Sequence, residues 1–179
     1  MRIGLISDTH ITEPMETLPP QIAEAFQGVD LILHAGDICN SSALDELEQV
    51  APVLAAEGDD DCGPTLTDKR LKPKHVLQIQ GLTLWLVHEN PYRYLFNLHQ
   101  TKDNTAHELD APDIVVFGHT HYSVIQRKNG ILFVNPGSPI VMNYGTKLGT
   151  IAIMQIENGK AEAKTIHLSQ FVELEPERL

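Results

Sequence analysis

The chain of 179 residues has only two cysteines, Cys39 and Cys62. Two cysteines cannot build the disulfide framework of a small secreted protein, so we expect a reducing compartment. The sequence also lacks the apolar run of about 18 residues that a membrane-spanning helix needs. Its first apolar run is too short for a signal peptide and leads directly into Asp8. These absences predict a cytoplasmic protein without a membrane partner.

Basic residues are also scarce, because 13 Lys and Arg face 24 Asp and Glu and the formal net charge is −11. Nucleic acids and anionic membranes bind clusters of Lys and Arg, and the sequence shows no such cluster, so we expect neither as the main partner. The length predicts one domain, residues 1–179, with its own hydrophobic core. The oligomeric state stays open, and a homo-oligomer is one option.

The first half of the chain alternates predicted strands with predicted helices. Short apolar runs within residues 1–10, 31–33 and 52–56 predict buried strands. Helices are predicted over residues 17–27 and after Ser41 or Ser42, either of which can cap the second helix. This alternation is typical of a parallel sheet with crossover helices, in which ligands bind beyond the carboxyl ends of the strands.

The second half changes to predicted antiparallel hairpins. Residues 75–87 predict one hairpin, while Asn129-Gly130 and Asn158-Gly159 are turn signals for two more. Residues 59–74 are predicted to form a loop, and residues 92–109 a polar helix. The chain as a whole therefore predicts an α/β fold.

Residues 113–117 predict a further buried strand. With it, five predicted strands end in side chains that can bind a metal ion. These side chains are Asp8 with His10, Asp37, Asp59, His88, and His119 with His121. One Asp or His at a strand end is usually a cap or a surface residue, but five strand ends in succession indicate a shared target. Seven nitrogen and oxygen donors exceed the four that one tetrahedral ion needs. They suit two divalent ions about 3.5–4 Å apart that share a carboxylate.

The order of these motifs resembles that of the calcineurin-like metallophosphoesterases. Asp-x-His, Gly-Asp, a later His, and Gly-His-x-His follow one another as in that family, and Asn135-Pro136-Gly137-Ser138 matches it as well. The chain looks like the small bacterial and archaeal phosphodiesterase branch over residues 1–138. The resemblance implies a four-layer α/β/β/α sandwich of two mixed β-sheets flanked by helices, with the metal ions at the strand ends.

The resemblance also implies a role for each candidate residue. The implied ligands are Asp8, His10 and His121 for one ion, Asp59, His88 and His119 for the other, and Asp37 for both. Asp37, His88 and His119 are the expected catalytic residues. Mn²⁺ is the ion expected to support activity, with Fe, Zn²⁺ or Ni²⁺ as alternatives. The implied activity is hydrolysis of a small phosphate ester, preferably a diester. A phosphomonoesterase and a non-catalytic interaction scaffold of this fold are the alternatives.

Three residues depart from the family's pattern. Asp59 stands where Asn is usual, Glu89 where Gly usually follows the His, and Asp60 where larger relatives have a His that protonates the leaving group. Asp59 adds a negative charge and lacks an amide N–H for a phosphate oxygen. We expect it to bind metal tightly and to weaken the attraction for an anionic substrate. The alternative is that Asp59 points away, or is neutralised by a proton, Lys69 or Arg70. The general acid stays open.

Overall fold

The protein is described by a computed structural model that covers residues 1–12, 17–92, 111–140 and 147–171. Two α-helices lie in these ranges, α1 (Pro20–Ala25) and α2 (Ser42–Glu48). The strands there are β1 (Arg2–Ile6), β2 (Leu31–His34), β3 (Val53–Ala56), β4 (Leu71–Lys72), β5 (His75–Ile79), β6 (Leu82–Leu86), β7 (Ile114–Val116), β8 (Ser123–Lys128), β9 (Ile131–Pro136), β10 (Thr150–Glu157) and β11 (Lys160–His167).

The strands form two mixed sheets. One sheet has the order β11-β10-β1-β2-β3-β4, in which β1 to β4 are parallel and β10 is antiparallel to β1. The other has the order β5-β6-β7-β9-β8, in which β6, β7 and β9 are parallel. The three predicted hairpins are confirmed as the pairs β5–β6, β8–β9 and β10–β11. The last hairpin joins the first sheet, so the two halves of the chain are interleaved.

The two sheets pack face to face over an apolar core. Successive residues of a strand point to opposite faces, so Ile3 and Leu5 of β1 lie between the sheets whereas Ile6 faces the helices. Ile22 of α1 and Leu44 of α2 cover that outer face. Each fully buried aliphatic side chain of this kind contributes about 1.5–3 kcal/mol. The expected sandwich of two mixed sheets flanked by helices is thus the observed fold.

The outer face of the second sheet carries a separate apolar cluster, which includes Trp85, Phe117 and Phe133. The helix predicted over 92–109, apart from Tyr92, lies outside the described residues. Among the helices that the structure does describe, none is both long and apolar enough to cross a membrane.

Three local predictions need correction. The first helix is shorter than residues 17–27, because Pro19 stays extended at its N-cap and a turn follows Ala25. Neither Ser41 nor Ser42 caps α2 with its side chain; instead the Asn40 side-chain oxygen accepts the Ser42 N–H at 3.0 Å. The predicted loop over 59–74 contains a 3₁₀ helix and strand β4, which pairs with β3.

Candidate metal centre

All seven candidate residues lie just beyond the carboxyl ends of parallel strands. Asp8 and His10 follow β1, Asp37 follows β2, and Asp59 follows β3, and these three strands are neighbours in one sheet. In the facing sheet His88 follows β6, and His119 and His121 follow β7. Carboxyl ends of neighbouring parallel strands meet at one edge of a sheet. Packing the two sheets face to face then brings the two edges together.

The structure gathers these residues into two groups that share Asp37. Within each group, one nitrogen or oxygen atom of every residue lies within 4.8 Å of the others. The first group is Asp8, His10, Asp37 and His121, and the second is Asp37, Asp59, His88 and His119. This is the grouping that the family resemblance implies.

The first group places two imidazole nitrogens beside two carboxylates. His10 Nε2 lies 3.2 Å from His121 Nε2 and 3.6 Å from Asp37 Oδ2. His121 Nε2 lies 3.7 Å from Asp8 Oδ1. These atoms surround one point, as the ligands of an ion do.

The second group is arranged around the Asp59 carboxylate. Its Oδ1 lies 2.8 Å from His88 Nε2 and 3.0 Å from His119 Nδ1. Asp59 therefore points into the site rather than away from it. The Asp59 and His119 side chains are 57% and 46% exposed, whereas the His88 side chain is 5% exposed. The site is consequently open to solvent on the side of Asp59 and His119.

Asp37 uses its two carboxylate oxygens differently. Oδ1 accepts the backbone N–H of Asp60 at 2.9 Å. Oδ2 lies 3.6 Å from His10 Nε2 and 3.4 Å from His88 Nε2, so it faces a histidine of each group. One oxygen thus fixes the side chain while the other is free to serve both groups.

Five of these seven residues have a left-handed backbone. The φ angles are 54° at Asp8, 46° at His10, 57° at Asp37, 69° at His119 and 60° at His121. Non-glycine residues adopt this region uncommonly, and each instance costs on the order of 1–3 kcal/mol. The other described non-glycine residues with positive φ are Cys39, beside Asp37, and hairpin-turn residues. Strain concentrated in this way is typical of a functional site.

Two glycines allow the loops to approach one another. A Cβ on Gly58 would overlap the backbone nitrogen and the Oδ1 of Asp37. Gly36 has a φ of 93°, and a Cβ there would lie 2.5 Å from Nδ1 of His88. The glycines that precede Asp37 and Asp59 are therefore required by close packing between loops.

His88 is oriented by a backbone carbonyl. Its Nδ1 lies 2.7 Å from the Ala35 oxygen, which can only accept, so Nδ1 carries a proton and Nε2 faces the site. Burial acts to lower the pKa of His88, but the contacts with Asp37 and Ala35 outweigh it and raise the pKa to about 9. Burial acts to raise the pKa of Asp37, yet its hydrogen bonds lower that pKa to about 2. Metal binding here requires that His88 release its Nε2 proton.

The Asp8 carboxylate indicates that a cation fits this site. Its Oδ1 accepts the backbone N–H of His119 at 2.9 Å, and burial raises the pKa of the carboxyl group. Its Oδ2 is buried and has no hydrogen-bond partner among the described residues. A buried carboxylate oxygen without a partner is destabilising, and a divalent ion would satisfy it. The mixture of carboxylate oxygens and imidazole nitrogens suits Mn²⁺, Fe, Zn²⁺ or Ni²⁺.

The Asn-Pro-Gly-Ser motif holds two of the candidate ligand loops. The buried Asn135 donates its amide N–H to the Gly118 oxygen at 2.7 Å and accepts the Gly137 N–H at 2.8 Å. The Ser138 hydroxyl lies 2.8 Å from the Asp8 backbone oxygen. The motif therefore ties the loop after β1 to the loop after β7. From sequence it was recognisable by family resemblance alone.

His34 supports the turn that presents Asp37. Its Nδ1 accepts the Gly36 N–H at 3.2 Å, so its Nε2 carries the proton and faces the Thr9 hydroxyl at 3.1 Å. Full burial lowers the pKa of His34 to about 3, which keeps the ring neutral. These contacts give His34 a supporting role in the turn.

Cys39 is the thiol beside the site, with Sγ 3.8 Å from Nδ1 of His10. Burial and then the nearby carboxylates of Asp61 and Asp37 raise its pKa to about 12. The thiol stays protonated near neutral pH and is a poor nucleophile.

Glu89, which follows His88 where the family usually has Gly, is exposed.

Comparison with known proteins gives a consistent family. Residues 1–159 match the family model described as the calcineurin-like phosphoesterase superfamily domain. The chain is 32% identical over 174 residues to a probable metallophosphoesterase of Methanothermobacter thermautotrophicus, with 93% of this chain and 92% of the relative covered. It is 26% identical over 167 residues to a phosphodiesterase of Methanocaldococcus jannaschii, with 88% and 94% covered.

Solved structures show the same fold. An archaeal phosphodiesterase superposes with a TM-score of 0.66 at 22% identity, covering 93% of this chain and 100% of that one. Vps29 from Entamoeba histolytica in complex with zinc also gives 0.66, at 19% identity and with 94% and 99% covered. Because the family model spans most of the sequence and a relative shares 32% identity over nearly its whole length, this chain belongs to the calcineurin-like phosphoesterase superfamily.

Proposed function

We propose that this protein is a phosphodiesterase that works with two divalent metal ions. The observation that supports two ions rather than one is the position of Asp37 Oδ2, 3.6 Å from a histidine of the first group and 3.4 Å from a histidine of the second. One ion would be held by Asp8, His10, Asp37 and His121, and the other by Asp37, Asp59, His88 and His119. We propose Mn²⁺ as the ion that supports activity, with Fe, Zn²⁺ or Ni²⁺ as alternatives.

When bound, such ions lower the pKa of a water molecule and polarise phosphoryl oxygens. The residues of the chain would position the ions, the water molecule and the phosphate group relative to one another. Asp37 and His88 are both buried. Asp37 accepts the backbone N–H of Asp60, and His88 donates to the Ala35 oxygen, so both side chains are held in fixed positions at the base of the site. His119 lies on the open side, where its ring can contact the phosphate group. Phosphoryl transfer depends mainly on such positioning and charge stabilisation.

The charge of Asp59 favours a diester over a monoester. Asp59 is largely exposed on the open side of the site, and we propose that a substrate phosphate enters from this side. A phosphomonoester carries about two negative charges at neutral pH, since its second pKa is about 6. A diester carries only one, and Coulomb repulsion from Asp59 scales with that charge. The carboxylate therefore disfavours the monoester more strongly than the diester.

The test is a parallel assay of a diester and a monoester with one leaving group. Chelator-treated protein is reloaded with Mn²⁺, and hydrolysis of bis-p-nitrophenyl phosphate is compared with that of p-nitrophenyl phosphate. We expect about two ions per chain by elemental analysis, a higher kcat/KM for the diester, and loss of both activities with chelator. Fe, Zn²⁺ and Ni²⁺ are tested in the same way.

Two results would contradict the proposal. A higher kcat/KM for the monoester would make the protein a phosphomonoesterase. Two bound ions without hydrolysis of either ester would favour an interaction scaffold.

Cys39 and Cys62 are both free thiols, which supports our further proposal that the protein works in the cytoplasm.

A further inference from the structure

Asp61 is a buried carboxylate that accepts three backbone N–H groups. Its Oδ1 accepts from Ile38 and from Cys39, both at 2.8 Å. Its Oδ2 accepts from Gly58, also at 2.8 Å. The side chain is nearly inaccessible to solvent. One rigid, planar group thus links the loop after β2 to the loop after β3.

The linked backbone groups are immediate neighbours of two candidate ligands. Ile38 and Cys39 follow Asp37, and Gly58 precedes Asp59. The loop after β2 is strained, with φ angles of 57° at Asp37 and 64° at Cys39. Strained backbone persists when surrounding contacts over-determine it, and the bonds to Asp61 are such contacts.

The three consecutive acids of this loop have different environments. Asp59 points toward His88 and His119 in the second group. Asp60 is exposed, with Oδ2 3.6 Å from Nδ1 of His10. Asp61 points inward and belongs to neither group of candidate ligands. Its carboxylate is therefore committed to the backbone.

We propose that Asp61 is a positioning residue that sets the distance between Asp37 and Asp59 and thereby forms the second metal site. It acts through the backbone of both loops and contacts neither ion nor substrate. This inference rests on the proposed function, because it requires the second group to bind an ion. It predicts that loosening Asp61 weakens the second ion more than the first.

Asp61→Asn tests this with almost no change in shape. An amide offers an acceptor on one side and a donor on the other. Either Gly58 or the pair Ile38 and Cys39 would then face an N–H group instead of an oxygen. The link between the two loops is broken while the volume is kept.

Asp113→Asn is a control for the loss of one carboxylate charge, taken at an exposed position. Asp113 Oδ2 accepts the backbone N–H of Thr83 at 2.8 Å, so the control removes the same charge from the same kind of bond. It precedes β7, at the strand end opposite to His119. We expect this variant to bind two ions as the native chain does.

The readout is Mn²⁺ binding, followed by titration and by electron paramagnetic resonance. We expect the native chain to bind two ions that give an exchange-coupled signal, because ions about 3.5–4 Å apart share a ligand. Asp61→Asn should keep the first ion and lose affinity for the second by about 10- to 100-fold, the usual effect of removing a residue that orients ligands. At one ion per chain its signal should be that of isolated Mn²⁺.

Native affinity for both ions in Asp61→Asn would overturn the inference. An equal loss at both sites, together with a lower Tm of the metal-free protein, would show a general structural role and would overturn it too. Should Asp61→Asn fail to fold, Asp61→Glu decides: it keeps the carboxylate but forces the loops apart, and unchanged binding of the second ion would reject the inference.

These results can be separated from a failure of the proposed function. A native chain that binds two ions but hydrolyses no ester would refute the function and leave the Asp61 test decisive, because that test measures ion affinity. A native chain that binds fewer than two ions would refute both.

Discussion

Two places in this molecule gather three carboxylates each, and they resolve the repulsion differently. At the first, Arg70 bonds to Asp45 at 2.7 Å, to Glu48 at 2.8 Å and to Asp68 at 2.5 Å. At the second, the strand-end cluster of Asp8, Asp37 and Asp59, the described ion pairs are all with histidine. The first cluster contains its own permanent cation, while the second offers imidazole nitrogens that an external cation can use.

The two clusters also differ in their backbone angles. Arg70 and its three partners all have ordinary backbone angles, whereas Asp8 and Asp37 are left-handed. The Arg70 side chain is only 9% exposed, and its bonds to Asp68 lower the pKa of that carboxyl group. In the strand-end cluster the Asp8 Oδ2 is left without a described partner. Acidic composition alone therefore does not indicate a metal site; strain and an unsatisfied oxygen do.

Removing the shared carboxylate should have the largest effect. We expect Asp37→Ala to reduce diester hydrolysis to the level of chelator-treated native protein, a loss of more than about 100-fold. The reason is that Asp37 Oδ2 faces a histidine of each group, so both sites are damaged together. Activity with saturating Mn²⁺ and the number of bound ions are measured.

Asp45→Ala is the control from the other cluster. It removes an equal charge from an exposed partner of Arg70, away from the strand ends. We expect it to keep both ions and its activity. A fully active Asp37→Ala protein would show that the assignment of Asp37 as the shared ligand is wrong.

Replacing Arg70 should instead reduce the stability of the protein and leave metal binding intact. Arg70→Met keeps an apolar stem but leaves the mostly buried Asp68 without its cation. Breaking a buried ion pair in this way should lower the free energy of unfolding by about 3–5 kcal/mol. Urea denaturation of the metal-free protein measures the loss.

Mn²⁺ should stabilise Arg70→Met and the native chain equally. Saturating a site at 100 times its Kd adds about 2.7 kcal/mol, and effects at separate sites are usually additive. If stabilisation by Mn²⁺ disappeared in Arg70→Met, the two clusters would be coupled rather than independent.

The sequence was sufficient to predict the site where the signal is local. Apolar runs locate strands, and Asp8 or His88 directly after a run can be read without knowing the partner strand. Asp61 and Asn135 could not be found in this way. Besides the nearby Gly58 and Gly137, their partners include a backbone N–H at Ile38, 23 residues from Asp61, and a backbone C=O at Gly118, 17 residues from Asn135. Spacing in the sequence does not encode which backbone groups a side chain will meet.

The smallest expected effect concerns Asp59. Among the three carboxylates of the strand-end cluster, it is the one that stands where the family usually has Asn. The alternative that Asp59 points away is wrong, because its Oδ1 lies 2.8 Å from His88 Nε2. Neutralisation by Arg70 is also wrong, because that guanidinium is bonded to Asp45, Glu48 and Asp68. A proton does not neutralise Asp59 either: burial acts to raise the pKa of its carboxyl group, but hydrogen bonds, among them those with His119 and His88, outweigh it and lower that pKa. Among the described residues, the ion pairs of Asp59 are with His88 and His119 and not with Lys69. Asp59 therefore adds its negative charge to the open side of the site.

Asp59→Asn should bring this cluster closer to the usual charge of the family. We expect weaker binding of the second ion, because an amide oxygen attracts a cation less than a carboxylate does. The KM for a diester should fall about two- to fivefold, as for one exposed charge pair worth roughly 0.5–1 kcal/mol. One negative charge less also lowers the pKa of the attacking water, so the acidic limb of the pH–rate profile should move to lower pH. Both proteins are assayed at saturating Mn²⁺, which separates the effect on substrate from the effect on metal binding. An unchanged KM together with an unchanged acidic limb would mean that solvent screens Asp59 completely, and the charge argument for diester preference would then fail.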